Sequence, residues 1–440
     1  MEAEVFARRR ADFLARLNEQ EAAILAAAPP RPRSRDVEFP YRQDSDFYYL
    51  TGFPEPHAVA VFLPGRKRSQ FILFCREYDS QKAIWEGDHA GLQGARKHYG
   101  AEEAYSIDQI DAVMPKLLAG RRRLHCSLGK DLRFDQKLMA WVGAVKSQAR
   151  AGVRAPEEFI DLDRVLHEMR LIKTPEEVAA IRRAAEISAQ AHIRAMQVCR
   201  PGLYEYQIEA EIVHQFMRGG ARSPAYPSIV AGGANACVLH YTRNDKRLEA
   251  GELLLIDAGA EYDYYAADIT RTFPVDGRFT SLQRTIYELV LEAQLAAIEK
   301  VRAGNRWNEP HEAAVRVLVK GLVKLGLLEG NPARLIKKEA YKDFYMHRTG
   351  HWLGMDVHDV GAYKVDDEWR ELRPGMVLTV EPGLYISPRC KQVPKKWRGI
   401  GVRIEDDVLV TEEGCEVLTK AVPKTVEEIE ALMEANRENL

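Results

Sequence analysis

Cysteine is scarce in this chain, and the little there is shows no pairing pattern. Cys75, Cys126, Cys199, Cys237, Cys390 and Cys415 are scattered over 440 residues without a C-x-x-C among them. That excludes a zinc ribbon and a disulfide framework, and it suits a reducing compartment. Long apolar runs are missing as well. The longest near the start, residues 22–28, ends at Pro29-Pro30, far short of the ~18–20 residues that cross a bilayer. Neither charge dominates: 63 Lys and Arg face 65 Asp and Glu, for a net charge of −2. A dedicated nucleic-acid binder would carry a basic excess. The N-terminus has Glu2 and Glu4 where a secretory leader would have cations followed by an apolar stretch. There is no low-complexity tract, and no repeat of the kind that builds a solenoid. A cytoplasmic globular protein is expected, and its length predicts about two to four domains.

Short β-like runs at residues 22–28, 47–50, 58–63 and 70–74 alternate with helical patterns at 2–20 and 107–118, an α/β texture over the first 160 or so residues. A second region opens at Thr174-Pro175-Glu176-Glu177. There Thr174 suits an N-cap, Pro175 the first helical position and Glu177 the reciprocal arm of a capping box. That helix should run to Val198, before Arg200-Pro201-Gly202 stops it. The division expected is an amino-terminal domain over 1–170 and a second domain over 171–440. Further helices are expected at 281–302, 311–325 and 426–437, and strands at 252–258, 266–273, 377–386 and 401–410.

Two acids stand out in the segment ELLLIDAGAEYDYYAADITRTFPV. A hairpin centred between Tyr262 and Asp263 sets Asp257 directly opposite Asp268, with Cβ atoms about 5 Å apart. Like charges at ~4 Å repel by ~4 kcal/mol at an effective dielectric of 20. A shared divalent cation would resolve the conflict. A centre displaced by one residue would instead put the acids on opposite faces.

His347, His351 and His358 fall within twelve residues, where the chain average would place about a third of one. The spacing of His347 and His351 imitates a zinc-binding helix, but Gly350 and Gly354 oppose a helix and the HExxH glutamate is absent. A glycine-rich loop or strand presenting imidazoles is expected. Glu381 in VLTVEPGLYI and Glu405 in GIGVRIEDDVLV interrupt apolar runs. Either alone could face solvent from an edge strand. With Asp257, Asp268 and a histidine they complete a five-ligand set. Four carboxylates balance two divalent cations and favour a hard ion such as Mn(II). Two such ions ~3.5–4 Å apart acidify a shared water and polarise a carbonyl.

These residues lie in motifs that resemble a known family. LLLIDAGAEY, AADITRTFPVDG, GHWLGMDVHDVG, TVEPGLY and RIEDD, with MRLIKTPEEV, FPYRQDSDFYYLTGFPEP and AIWEGD further upstream, resemble the pita-bread metallopeptidases, most closely the Xaa-Pro aminopeptidase family. The resemblance covers nearly the whole chain. It implies an α/β N-terminal domain followed by an α+β pita-bread catalytic domain. It also implies two divalent ions, most plausibly manganese, on Asp257, Asp268, His351, Glu381 and Glu405. Asp268 and Glu405 would bridge them, Asp257 would hold one ion, and His351 and Glu381 the other. A metal-bridging hydroxide would attack the carbonyl ahead of a proline at the second position of a peptide. His240, His347 and His358 are implied as pocket imidazoles, Glu381 as proton carrier and Arg403 as a supporting catalytic group. Tyr226, Tyr385 and Trp85 are implied as substrate contacts, Trp85 from a neighbouring subunit of a tetramer or dimer. The alternatives are a prolidase cleaving Xaa-Pro dipeptides and a non-catalytic peptide-binding relative.

Overall fold

Thr174 opens the 24-residue helix Pro175–Val198 of the computed structural model, which describes residues 1–437. The Thr174 hydroxyl accepts the Glu177 N–H, and the Glu177 carboxylate accepts the Thr174 N–H at 3.0 Å. Both arms of the capping box are therefore made. The helix buries a face rich in small residues, Ala180, Ala184, Ala191 and Ala195 among them, which lets neighbouring elements approach closely. The chain divides into two compact units, Met1–Met169 and Arg170–Leu440.

The first unit is built on a six-stranded mixed sheet. Its strand order is Glu103–Ser106, Phe71–Cys75, Val59–Phe62, Glu21–Ala26, Arg123–Cys126 and Glu158–Asp161. The three central apolar strands are buried almost throughout, as expected where both faces of a sheet are covered. Residues 47–50, expected as a strand, belong instead to the helix Ser45–Thr51. Asp44 caps it by accepting the Phe47 N–H at 3.0 Å, and Gly52 closes it at φ +64°. A four-residue apolar run carries no period of its own, so the flanking caps decide its state.

The second unit surrounds short antiparallel sheets with helices at Pro175–Val198, Glu205–Arg218, Ser281–Ile298, Glu309–Lys324 and Val426–Arg437. Three of the long strands expected from the sequence are each two strands with a break between them. The 377–386 run splits into Val377–Val380 and Gly383–Ile386, and the 401–410 run into Ile400–Arg403 and Asp406–Val410. The 266–273 run becomes Tyr265–Ala266 and Thr270–Pro274. Glu381, Glu405 and Asp268 sit in the three gaps. There a carboxylate can leave the alternating in-and-out pattern of a strand.

The register of the acid-bearing hairpin also differs from expectation. Tyr262 pairs with Tyr265 and Asp257 with Thr270, so the centre lies between Asp263 and Tyr264. Those two residues take φ +49° and +68°, the backbone of a tight two-residue hairpin turn. Asp-Tyr is not a strong signal for that turn. The shift moves each pairing by two residues, so Asp268 remains on the face of Asp257 as its diagonal neighbour. The acids are neither directly opposite nor on opposite faces.

Replacing Thr174 by Ala removes one arm of the capping box and is expected to lower unfolding stability by about 1 kcal/mol. A shift in the denaturant midpoint without a change in slope would show it.

Candidate metal centre

The strand breaks bring Asp257, Asp268, His351, Glu381 and Glu405 to one cavity of about 490 Å³ in the second unit, together with His240, His347, His358, Arg403 and Tyr226. Each acid or imidazole arrives on pinned backbone. The Glu405 N–H donates to the Thr270 carbonyl at 3.1 Å, the Glu381 N–H to the Thr349 carbonyl at 2.7 Å, and the Asp268 N–H to Asp407 Oδ2 at 3.1 Å. The loop carrying His351 is sewn to Thr379 twice: its N–H donates to Thr379 Oγ1 at 3.1 Å and its carbonyl accepts the Thr379 N–H at 2.9 Å. Gly350 makes that approach possible, because a Cβ there would stand 2.0 Å from the Thr379 carbonyl oxygen.

Ligand atoms of Asp268, His351 and Glu405 lie within 4.8 Å of one another. The His351 ring is oriented so that one nitrogen is spent. Its Nδ1 lies 3.0 Å from the Trp352 carbonyl oxygen, which makes Nδ1 the protonated nitrogen of a neutral ring. The bare Nε2 then faces Asp268 Oδ2 at 3.4 Å and Glu381 Oε1 at 3.7 Å. A lone pair facing two carboxylates is tolerable only with a cation between them. Without a metal that cation must be a proton, and contacts with Asp268 and Glu381 raise His351 to about 9 against the opposing effect of burial.

The carboxylates show the same need. Burial raises Asp268, Glu381 (to about 7) and Glu405 (well above the carboxylate range), and their mutual repulsion adds to it. Asp406, next to Glu405 and equally buried, behaves in the opposite way. Arg271 and Lys424 reach it at 2.7 and 2.8 Å and, against burial, hold it below the usual range. The fold thus supplies fixed cations to a structural buried acid and leaves Glu405, Asp268 and Glu381 without them. Arg403 is the exception inside the cavity. Its Nη2 donates to Asp257 Oδ2 at 2.6 Å, and its Nε to Thr270 Oγ1 at 3.1 Å. The Thr270 hydroxyl donates a hydrogen bond to Glu405 Oε2 at 2.6 Å. With one acid neutralised by Arg403 and three left over, this donor set fits divalent cations.

Tyr226 places its hydroxyl 2.7 Å from Asp257 and 2.5 Å from Asp268, where its single proton can be given to one of the two acids. Tyr385 is buried, and its hydroxyl accepts from Arg403 Nη1 at 3.1 Å while lying 2.8 Å from His347 Nε2. Burial and Arg403 lower His347 to about 3, so its ring is neutral and Tyr385 donates to it. His240 and His358 are exposed on the cavity wall, the His358 ring 4.4 Å from that of His351. Burial and His351 lower His358 as well. Trp85 is 89% exposed, on the helix Ser80–Glu86 of the first unit.

Two participants had not been singled out from the sequence. Thr270 links Arg403 to Glu405, and no pattern marks a threonine for that task. Asp407 is fully buried and two residues from Glu405, and the run of three consecutive acids in RIEDD is the signal that points to it.

Comparisons with known proteins bear on what this centre belongs to. Residues 179–412 match metallopeptidase family M24, and residues 6–125 match the aminopeptidase P N-terminal domain. The chain is 47% identical to an Xaa-Pro aminopeptidase of Escherichia coli over 98% of both chains. It is 45% identical to one of Haemophilus influenzae over 98% of this chain and 97% of the other. Pseudomonas aeruginosa aminopeptidase PepP aligns with a TM-score of 0.98 at 57% identity, covering 100% of this chain and 99% of that one. A zinc-substituted Escherichia coli aminopeptidase P in complex with product aligns at 0.96 with 46% identity over 99% of both.

The raised groups set a stability profile. Glu381, at about 7 against an unfolded value of 4.5, and His351, at about 9 against 6.5, bind protons more tightly in the folded state. Their contribution is complete below their unfolded values and is lost as pH rises through 7 and 9. The metal-stripped protein should therefore melt at progressively lower temperature between pH 5 and pH 9. A divalent ion should recover more stability at the alkaline end, about 2.7 kcal/mol at a hundredfold excess over its Kd. Melting curves with EDTA and with added metal across that range are the check.

Proposed function

The chain belongs to metallopeptidase family M24 with an aminopeptidase P N-terminal domain ahead of the catalytic one, and we propose that this centre removes the first residue from peptides that carry proline second. It is an Xaa-Pro aminopeptidase that works with divalent metal ions. The carrying observation is that five donors converge on one cavity in a geometry that only added cations make tolerable. We assign Asp257, Asp268, His351, Glu381 and Glu405 as the ligands. Divalent cations held there supply an acidified water and a polarised carbonyl, the two requirements of amide hydrolysis. Manganese is our choice, since four of the five donors are hard carboxylates.

The chain's own groups do the rest. Glu381, in the cavity beside His347 and His351, is suited to accept a proton from the attacking water and deliver it to the leaving nitrogen. Proline leaves as a secondary amine and needs that proton. His240 and His358 face the cavity as hydrogen-bond donors for the developing oxyanion. Arg403, in the cavity wall, holds Asp257, and the buried Tyr385 holds His347. The apolar side of the cavity, with Pro227, Ile229, Leu239 and Val357, is suited to side chains of the peptide. Proline has a fixed φ and no N–H, so recognition by ring contact suits it better than strand-like pairing.

A homotetramer in the cytoplasm completes the proposal. No residue of the helix Ser80–Glu86 is buried, and Trp85 and Ile84 are 89% and 75% exposed, an apolar face suited to a second copy of the chain. All six cysteines are free thiols, which fits a reducing compartment. No described helix is long and apolar enough to cross a membrane.

EDTA should abolish cleavage of an Arg-Pro-Pro-type peptide and added Mn(II) should restore it. Asp268→Ala should reduce turnover to background with the fold intact by circular dichroism. Retained wild-type, Mn-dependent turnover in that variant would refute the assignment. In the same assay, Xaa-Pro dipeptides cleaved in preference to longer peptides would redirect the reading to a prolidase.

A further inference from the structure

Arg170 and Lys173, in a segment the sequence marks only as the approach to the catalytic unit, are buried in an ion cluster. The side chains of Arg170, Lys173 and Asp359 are 2%, 1% and 1% exposed. Each oxygen of the Asp359 carboxylate takes one cation: Oδ1 accepts from Arg170 Nη2 at 2.6 Å and Oδ2 from Lys173 Nζ at 2.8 Å. Arg170 Nη2 also donates to Asp356 Oδ2 at 2.7 Å. The backbone of the same segment is tied down as well, with the Lys173 N–H donating to the Gly375 carbonyl at 2.8 Å. Gly354 closes over the cluster. A Cβ there would lie 2.1 Å from Asp359 Oδ2 and 2.9 Å from Lys173 Cε, so the loop is drawn in as far as glycine allows.

What this cluster holds is the loop that starts at His351 and ends at His358. The His351 end is fixed independently through Thr379. At the other end, no described residue hydrogen-bonds the His358 ring, which lies against the His351 ring 4.4 Å away. The next residue is Asp359, whose N–H donates to the Trp352 carbonyl at 2.8 Å and whose carboxylate is clamped by two cations. His358 therefore inherits its position from Asp359. Stability alone does not call for such a device, because a buried ion cluster is commonly replaceable by apolar side chains at no loss. Its distinctive product is fixed geometry.

We propose that Arg170 and Lys173, acting through Asp359, are positioning residues that hold the His358 imidazole in the cavity wall beside His351. The inference rests on the Xaa-Pro aminopeptidase reading for the use made of His358. The segment before the long helix is thereby part of the catalytic apparatus, although none of its side chains reaches the cavity. A displacement of about 1 Å in a reacting group costs up to a hundredfold in rate, and the clamp exists to prevent it.

The test compares the full-length, metal-loaded protein with the paired variant Lys173→Met/Asp359→Leu, which removes both charges together and leaves Arg170 to Asp356. We expect a folded protein with wild-type metal content, KM within about twofold, and kcat lower by about tenfold or more. Hydrogen exchange should quicken in residues 352–361. In a His358→Ala background the paired change should cost no further kcat, since its route of action is gone. Wild-type kcat and unchanged loop exchange in the folded variant would overturn the proposal, as would an undiminished further drop in the His358→Ala background. Should the paired variant not fold, Asp359→Glu keeps every charge and lengthens the arm by one methylene. It should show the same kcat-selective loss, and wild-type kcat there would overturn the proposal equally. A wild-type protein that cleaves no Xaa-Pro peptide would instead refute the functional reading, while loop exchange in the variants still decides the clamp.

Discussion

Buried carboxylates crowded into one cavity repel one another, Arg403 offsets that repulsion at Asp257 only, and the catalytic unit is arranged around what remains. The contrast between Glu405 and Asp406 shows it within one peptide bond. Asp406 is satisfied by Arg271, Lys424, Thr419 and Gln294. Glu405 receives a hydrogen bond from the Thr270 hydroxyl and no fixed cation at salt-bridge distance among the described residues. Burying an unpaired carboxylate is costly enough that the group protonates instead. Retaining three of them in one cavity makes sense when their counter-charges come from outside the chain.

The neighbouring groups tune that site without filling it. Arg403 neutralises Asp257 and hydrogen-bonds Thr270 and Tyr385 from the same guanidinium, a planar fork suited to several partners at once. Tyr385 in turn settles the protonation of His347. Tyr226 lies within hydrogen-bond distance of both Asp257 and Asp268 and has one proton to give to either. Such outer contacts fix ring orientation and donor direction before a ligand arrives. A rigid cavity of this kind can treat the proline ring as a shape, and proline offers little else to recognise.

Much of the site was legible because its members are anomalies of type. An acid inside LLLID, VLTVE or VRIED breaks an apolar run, and three histidines in one glycine-rich stretch exceed any background. The helix Pro175–Val198 was legible for a related reason, since capping is a local interaction among four residues. Local signals failed where two states use the same residues. Residues 47–50 are apolar enough for a strand, and only Asp44 and Gly52 make them a helix. The hairpin centre moved because Asp263-Tyr264 adopts a turn that its composition does not advertise. A long apolar run reads as a single strand, and the breaks at Glu381, Glu405 and Asp268 are hidden inside such runs.

The amino-acid order by itself determined which donors the protein has, which helices begin where, and how its apolar residues are spaced, because each depends on neighbours within a few positions. Only the folded chain decided which acids receive a cation and which do not, since Arg271, Lys424 and Arg403 are chosen by distance in space. It also decided that residues 170–173, nearly two hundred positions away from Asp359, steady the loop beside it. Coulomb energy depends on separation and burial, and neither is written in the spacing along a chain.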